Sequence, residues 1–204
     1  MIESKRMVVE KSPEAAAVKA AEIFTSIIQD AIEQRGVCHL ALSGGTTPRS
    51  MYHQLADRVA TDNVPWSQVE VYLGDERDVP HDDVESNFGM AQRALLDHVP
   101  IDWSRVYPMR ADTQDIDAAA REYEQTVRDL VPAGPEGIPQ FDLIMLGLGG
   151  DGHVASLFPN TESLDEWERL VVACHVPVLG RNRMTFTFPL INAARNILLL
   201  VTGD

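Results

Sequence analysis

The stretch that decides the fold is FDLIMLGLGGDGHVASLFP, residues 141–159. It opens with a continuous apolar run, residues 141–148, in which Asp142 is the only charged side chain. A run of this length without polar alternation is typical of a strand buried on both faces, as in a parallel sheet. Glycines at positions 147, 149, 150 and 152 follow, and they allow a tight turn close to a ligand. Asp151 and His153 lie within that turn, so a carboxylate and an imidazole stand where the strand ends.

Two other predicted strands end in turns of similar chemical content. Residues 37–42 are followed by Ser43-Gly44-Gly45-Thr46-Thr47-Pro48, and residues 69–73 by Gly74-Asp75-Glu76-Arg77. Strands alternate with helices along the chain, which predicts a parallel sheet with right-handed crossovers. Parallel strands place their carboxyl ends at one edge, where sites form in open α/β sheets. We therefore expect the three turns to converge.

The remaining elements follow from periodicity and from capping residues. One helix is predicted from its N-cap Ser12, with Pro13 at its first position, to Gly36, and another with Thr47 as N-cap and Pro48 at its first position. The other predictions are a short strand at 7–9, helices from Ser86 or Asn87 and from Thr113, strands at 105–107, 170–176, 184–188 and 196–201, and a basic turn at 179–183.

The composition limits the possible functions. The 204 residues carry a formal charge of −14, which argues against nucleic acid as a partner because phosphates demand a basic face. An anionic substrate would need local positive charge, for which Arg77, Arg181 and Arg183 are candidates. Cys38 and Cys174 stand far apart in apolar runs and are expected to be reduced, and no ligand set with metal spacing occurs. No signal peptide or transmembrane run is recognised, so we expect a cytoplasmic protein.

The turn at 43–48 supports two interpretations beyond a simple strand-to-helix connection. A glycine turn that ends on a helix N-terminus presents free N–H groups and the positive end of the helix dipole to an anion. Residues 41–45 also resemble the nucleophile elbow of serine hydrolases, with Ser43 as nucleophile and His153 as base. A P-loop is excluded because no Gly-Lys-Ser/Thr follows. The GxGxxG match at 147–152 is discounted because Asp151 would lie against the pyrophosphate.

Four blocks of the chain together resemble the glucosamine-6-phosphate isomerase/6-phosphogluconolactonase family. They are SGGTTP at 43–48, GDERDVP at 74–80 with SN at 86–87, GLGGDGHVASLFP at 147–159, and RMTFT with IN between 183 and 192. The blocks occur in order over nearly the whole chain, and DGHVASLFP is the most specific of them. The resemblance implies a Rossmann-like three-layer α/β sandwich with a mostly parallel sheet.

The same resemblance favours the lactonase branch of the family over the deaminase branch. Deaminases resemble DGHIAFNEP, in which a glutamate that assists ring opening stands seven residues after the aspartate, whereas this chain has Phe158 there. Arg77 likewise replaces a tyrosine of the deaminases. The resemblance implies hydrolysis of 6-phospho-D-glucono-1,5-lactone to 6-phospho-D-gluconate in the oxidative pentose phosphate pathway, without cofactor or metal. A deaminase-like enzyme and a non-catalytic sugar-phosphate-binding domain are the alternatives.

Lactone hydrolysis needs an activated water, a stabilised oxyanion and a proton for the departing ring oxygen. An imidazole can perform the first and third tasks in turn, so we expect His153 to act as general base and then as acid. Asp151 would orient it or order the water, and Arg77 or backbone N–H groups near Gly149 and Gly150 would stabilise the oxyanion. The residues expected to bind the substrate and its phosphate are Ser43, Gly44, Gly45, Thr46, Thr47, Asp75, Asn87, Gly149, Gly150, Arg181 and Arg183.

The family pattern continues past residue 203 into a lysine-bearing segment of the phosphate site, a helix and a strand. The resemblance therefore implies one lactonase-like domain over residues 1–204 that lacks its C-terminal helix and strand, with weak substrate binding if that lysine contributes. The expected partner is a small phosphosugar lactone rather than nucleic acid or a membrane. A monomer and a homodimer are both compatible with the sequence.

Overall fold

The computed structural model describes residues 5–59 and 64–203. The α-helices are α1 Pro13–Arg35, α2 Thr46–Asp57, α3 Asn87–Ala94, α4 Ile116–Leu130 and α5 Phe188–Ala193. The strands are β1 Cys38–Leu42, β2 Val69–Leu73, β3 Asp75–Arg77, β4 Val106–Tyr107, β5 Leu143–Leu146, β6 Val171–Val176, β7 Arg181–Phe186 and β8 Ile197–Leu199. Short 3₁₀ helices lie at Trp66–Gln68, Leu96–His98, Trp103–Arg105 and Glu162–Asp165.

A parallel sheet with the strand order β4-β2-β1-β5-β8 forms the centre of the fold. Every residue of β1 and β5 is buried, as their apolar sequences predict. The chain runs from β1 outward through β2 to β4, then returns to the other side of β1 for β5 and β8. The strand order therefore reverses between β1 and β5, and ligands in such sheets bind outside the carboxyl ends at this point.

A second, antiparallel sheet of β3, β7 and β6 was not expected from the sequence. It begins directly after β2, at Gly74, whose N–H donates to the Leu42 carbonyl (2.9 Å) and whose carbonyl accepts from the Phe186 N–H (2.8 Å). The predicted turns at 74–77 and 179–183 are therefore wrong in part, because Arg77 pairs with Arg183 as strand residues. The carboxylates at the end of β2 are buried and accept hydrogen bonds from the start of α3, from Asn87 and from Ser156.

Three helix ends confirm the capping predictions. Ser12 caps α1, with its hydroxyl accepting from the Ala15 N–H at 3.2 Å, and Gly36 ends that helix in the left-handed region at φ 79°. Ser86 caps α3 by accepting from the Gly89 N–H at 3.0 Å. Both caps satisfy amides that the first helical turn leaves without a backbone partner.

Two other helix starts were predicted wrongly. Helix α2 begins at Thr46 with Gly45 as N-cap, because Gly45 at φ 102° turns the chain before Thr47 is reached. Helix α4 begins after Asp115, whose carboxylate accepts from the Ala118 N–H at 2.9 Å, and not at Thr113. A carboxylate at the N-cap competes well with a threonine two residues earlier.

The strand predicted at residues 7–9 is also wrong. Met7 and Val9 are 87% and 79% exposed, and these residues pair with no strand in the described part of the chain. Three apolar residues without a neighbouring strand gain neither ladder hydrogen bonds nor buried area.

Helix α4 is joined to the parallel sheet by a buried tyrosine. The Tyr123 hydroxyl donates to the Tyr107 carbonyl (2.8 Å) and accepts from the Leu73 N–H (2.9 Å), which closes the ends of two strands. Helices α1 and α2 pack against each other, and α4 packs on β6. Within residues 5–59 and 64–203, no helix combines the length and apolar character that crossing a bilayer would require.

Candidate active site

A cleft of about 220 Å³ opens at the carboxyl ends of β1, β2, β5 and β8. The three turns that the sequence singles out all contribute to it. The predicted site residues that line it are Ser43, Gly44, Gly45, Thr46, Thr47, Asp75, Arg77, Asn87, Gly149 and His153. The predicted site residues Asp151, Gly150, Arg181 and Arg183 are not among its lining residues.

The cleft has further lining residues that the predicted site did not include. They are Pro48, Gly147, Leu148, Ala155, Leu200, Val201 and Thr202. Residues 200–202 directly follow β8, but the predicted strand ran to residue 201, so the carboxyl-end rule would have found only Thr202. Thr202 is tied to the turn after β1, because its hydroxyl lies 2.8 Å from that of Thr47.

His153 and Asp151 form a hydrogen-bonded pair at the cleft. His153 Nδ1 lies 2.5 Å from Asp151 Oδ1, and an ionised carboxylate can only accept, so Nδ1 carries the proton. The hydrogen bond from the His153 side chain is the main cause that lowers the pKa of the Asp151 carboxyl, which keeps it ionised. Nε2 forms no hydrogen bond within the described part of the chain. It is therefore free to accept a proton.

The turn around this pair depends on glycine. Gly152 has φ 90°, and a Cβ on Gly149 would overlap ring atoms of His153. The Gly149 N–H already donates to the His153 carbonyl at 2.9 Å. That donor is used inside the turn, so the prediction that the Gly149 N–H binds an oxyanion gains no support from this geometry. Gly150 does not line the cleft, which leaves Arg77 as the candidate.

The N-terminus of α2 forms another wall of the cleft. Gly45 and Thr46 line it, and the N-cap position supplies no side-chain hydrogen bond to the helix. The first amide groups and the positive end of the helix dipole thus lie beside the cleft without a capping side chain. This arrangement suits an anion.

Gly44 and Asn87 fit together closely at the same wall. A Cβ on Gly44 would overlap the side-chain amide of Asn87, which is only 1% exposed. Asn87 Nδ2 donates to the carbonyl (3.0 Å) and to the carboxylate (3.1 Å) of Asp75, and Ser156 donates to the other Asp75 oxygen at 2.8 Å. Asp75 therefore links the turn after β2, helix α3 and the turn after His153.

Glu76 is a buried carboxylate that the predicted site omits. It is 0% exposed and accepts from the Asn87 N–H at 2.7 Å and the Phe88 N–H at 2.8 Å, at the start of α3. It also accepts from the Ser86 hydroxyl (3.0 Å) and the Arg77 N–H (2.8 Å). Burial raises the pKa of this carboxyl, and these hydrogen bonds oppose the shift. The sequence could have indicated Glu76, because it stands next to Asp75 in the block at 74–77.

The three candidate arginines occupy different environments. Arg77 lines the cleft and donates through Nη1 to the Glu85 carbonyl. Arg183 lies across from it in the β3–β7 pair, and burial, followed by the charge of Arg77, lowers the pKa of its guanidinium. Arg181 is exposed and forms an ion pair with the Glu85 carboxylate. Arg77 is thus the predicted arginine that reaches the cleft directly.

The serine-hydrolase alternative finds little support in this geometry. The Ser43 hydroxyl is buried and has no hydrogen-bond partner in the part of the chain that the structure describes, so no base activates it. The same described residues contain no group of three or more His, Cys, Asp or Glu side chains that could hold a metal ion.

The chain was compared with protein families and with known proteins. Residues 11–204 match the family described as glucosamine-6-phosphate isomerases/6-phosphogluconolactonase. A 6-phosphogluconolactonase of Synechocystis sp. is 41% identical over 91% of this chain and 75% of its own length. One of Streptomyces coelicolor is 38% identical over 100% of this chain and 80% of its own. The solved 6-phosphogluconolactonase of Trypanosoma cruzi superimposes with a TM-score of 0.84 at 31% identity, covering 100% of this chain and 82% of that one.

Proposed function

Since the chain belongs to the family of glucosamine-6-phosphate isomerases and 6-phosphogluconolactonases, we propose that it hydrolyses 6-phospho-D-glucono-1,5-lactone to 6-phospho-D-gluconate. The observation that carries this proposal is the ionised Asp151 bound to His153 Nδ1, with Nε2 left free at the cleft. An imidazole oriented in this way can take a proton from water and return it to a leaving oxygen.

In the first step, water attacks the lactone carbonyl carbon and gives a proton to His153 Nε2. A new carbon–oxygen bond forms, and the carbonyl electrons move to the oxygen as an oxyanion. Asp151 stabilises the imidazolium that results, because its carboxylate faces the protonated Nδ1. The guanidinium of Arg77 supplies positive charge at the cleft for the oxyanion.

In the second step, the tetrahedral intermediate collapses and the bond between the carbonyl carbon and the ring oxygen breaks. The departing ring oxygen takes the proton from His153 Nε2, and the product is an open-chain acid that ionises in water. His153 is neutral again at the end. No other proton donor is needed, which agrees with Phe158 standing where the deaminases of the family have a glutamate.

The substrate phosphate is placed at the start of α2 in this proposal. Gly44, Gly45 and Thr46 line the cleft there, and the helix has no side-chain N-cap. Helix N-termini of this kind bind phosphate through free N–H groups and the helix dipole. Arg183 stays a proposed counter-charge acting from behind Arg77, whereas the ion pair with Glu85 makes Arg181 a weaker candidate.

The test of this function is the His153→Ala variant, assayed on freshly made 6-phosphogluconolactone with spontaneous hydrolysis subtracted. Loss of the general base should lower kcat by roughly 10²–10⁴-fold. His175→Ala is the matched control, because His175 is exposed on β6 and outside the cleft. Turnover near that of the wild type in a folded His153→Ala variant would contradict the proposed mechanism.

The place of this reaction is the oxidative pentose phosphate pathway, and we expect it in the cytoplasm, by a monomer or a homodimer. The relatives' names support the reaction, and the cytoplasmic location and the oligomeric state rest on the sequence patterns alone. Cell fractionation and light scattering would test them.

A further inference from the structure

The ring of Phe158 lies flat against the imidazole of His153. The two ring centroids are 3.9 Å apart and the planes differ by 20°. Phe158 is only 6% exposed, yet it does not belong to the main hydrophobic cluster that fills the space around the sheets. The imidazole of His153 is therefore the ring that packs on Phe158.

The chain turns back between His153 and Phe158, and this turn brings the two rings into contact. Val154 and Leu157 form an isolated antiparallel bridge, and the Leu157 N–H donates to the Val154 carbonyl at 2.9 Å. Ala155, in the middle of this turn, has φ 49°, a left-handed conformation that is uncommon for residues other than glycine. The backbone thus adopts a costly conformation that returns Phe158 to the ring of His153.

The imidazole is held in three ways. Asp151 Oδ1 fixes the Nδ1 edge, Phe158 covers one face, and the missing side chain of Gly149 leaves the space that ring atoms Cε1 and Nδ1 occupy. The covalent bond at Cγ and the hydrogen bond at Nδ1 hold the same edge of the ring, so together they still leave the ring free to tilt about that edge. The flat contact with Phe158 removes this freedom and sets the direction of Nε2.

We propose that Phe158 is a positioning residue for the general base, acting through the plane of the His153 ring. This inference rests on the lactonase function proposed above. It assigns the aromatic side chain a role in turnover and not in substrate binding, because Phe158 does not line the cleft. Removing the flat face should therefore lower kcat and leave KM almost unchanged.

The test compares Phe158→Leu, Phe158→Met and Phe158→Tyr with the wild type. Leucine and methionine keep an apolar side chain but have no flat face, and we expect kcat to fall by about 10²-fold, the loss typical of a misplaced catalytic group. Tyrosine keeps the face and should restore kcat to within about threefold of the wild type on the same reasoning. Phe188→Leu is the matched control, since Phe188 stacks on Trp167 and lies outside the cleft.

A second measurement does not depend on activity. Stacking on Phe158 should shift the ring protons of His153 upfield in NMR spectra, and the His153→Ala variant identifies these signals. The shift should be lost in Phe158→Leu and Phe158→Met and kept in Phe158→Tyr. Wild-type kcat in either aliphatic variant, or a fall in kcat equal to that of Phe188→Leu, would overturn the inference. An inactive wild type would overturn the proposed lactonase function instead. Even then, His153 ring-proton signals that do not move in Phe158→Leu and Phe158→Met would refute the stacking.

Discussion

Gly44 is a residue whose meaning changes between sequence and structure. Within the turn at 43–48 it suggests only a backbone that approaches an anion. In the fold, the position of its absent side chain is filled by the amide of Asn87, which Asp75 holds from the other side. The residue is therefore needed for contact between two segments of protein as well as for ligand approach.

Gly44→Ala should consequently damage both stability and binding. The added methyl group must displace Asn87, and overpacking of this kind costs about 1–3 kcal/mol of unfolding free energy. Urea denaturation measures this loss, and steady-state kinetics should show a higher KM because the cleft wall moves. Gly150→Ala is the stability control, since a Cβ there meets no atom within 4 Å and should change unfolding by less than about 0.5 kcal/mol. Equal stability of the two variants would contradict the close packing of Gly44 on Asn87.

Helix α3 shows how a buried charge organises an element. Glu76 accepts two amides at the start of this helix, and thereby holds Asn87 at the cleft while also binding the Arg77 N–H. The sequence indicated that charges after β2 must be paired or used, but not which one is buried. That choice depends on β7, which joins the site from about a hundred residues later in the chain.

The pH dependence of stability should reveal Glu76. Burial raises the pKa of its carboxyl above the value near 4.3 of an unfolded chain, so the folded protein retains this proton to higher pH. The contribution of this proton to the unfolding free energy is fully present below about pH 4.3, and it is lost as the pH rises through the pKa of Glu76 in the folded protein. Relative to Glu76→Gln, which does not titrate, the unfolding free energy of the wild type should decline over this interval.

Urea denaturation of both proteins between pH 4 and 8 would measure that difference. Glu136→Gln makes the same charge change at an exposed position and serves as the control. A wild-type unfolding free energy that instead rises with pH relative to Glu76→Gln would show that the hydrogen bonds to Glu76 outweigh its burial.

The sequence located correctly those elements whose own residues carry a recognisable pattern. The apolar runs of β1, β2 and β5 and the caps Ser12 and Ser86 carry their own information. By contrast, β3 is three charged residues that become a strand only through pairing with β7. The role of Phe158 was similarly hidden, because a turn with a left-handed Ala155 has no recognisable sequence pattern.

At the scale of the whole molecule, the position of the cleft was predictable from the sequence, but the contribution of a second sheet to its lining was not. Alternating strands and helices indicate a parallel sheet, and the reversal between β1 and β5 places the cleft at their carboxyl ends. Nothing in the local sequence shows that a second sheet supplies Asp75 and Arg77 to the same cleft. This contribution arises from contacts between distant parts of the chain.

A ligand that joins loops from several strands should stabilise the entire fold. We expect the product, 6-phospho-D-gluconate, to raise Tm by several degrees, because a hundredfold excess over Kd adds about 2.7 kcal/mol to the unfolding free energy. D-gluconate lacks the phosphate and should raise Tm far less if the α2 N-terminus binds that group. Equal increases in Tm from both compounds would contradict phosphate binding at the 43–48 turn.

Gly74 connects the two sheets, because its N–H donates to the Leu42 carbonyl and its carbonyl accepts from the Phe186 N–H. The proposed catalytic residues therefore lie on both sides of the junction between the two sheets, with His153 and the start of α2 on one side and Asp75 with Arg77 on the other. Fraying of either layer would dismantle the chemistry while most of the polypeptide kept its shape. Activity should therefore be lost more easily than the fold, and Gly74 lies at the point where the two sheets would separate.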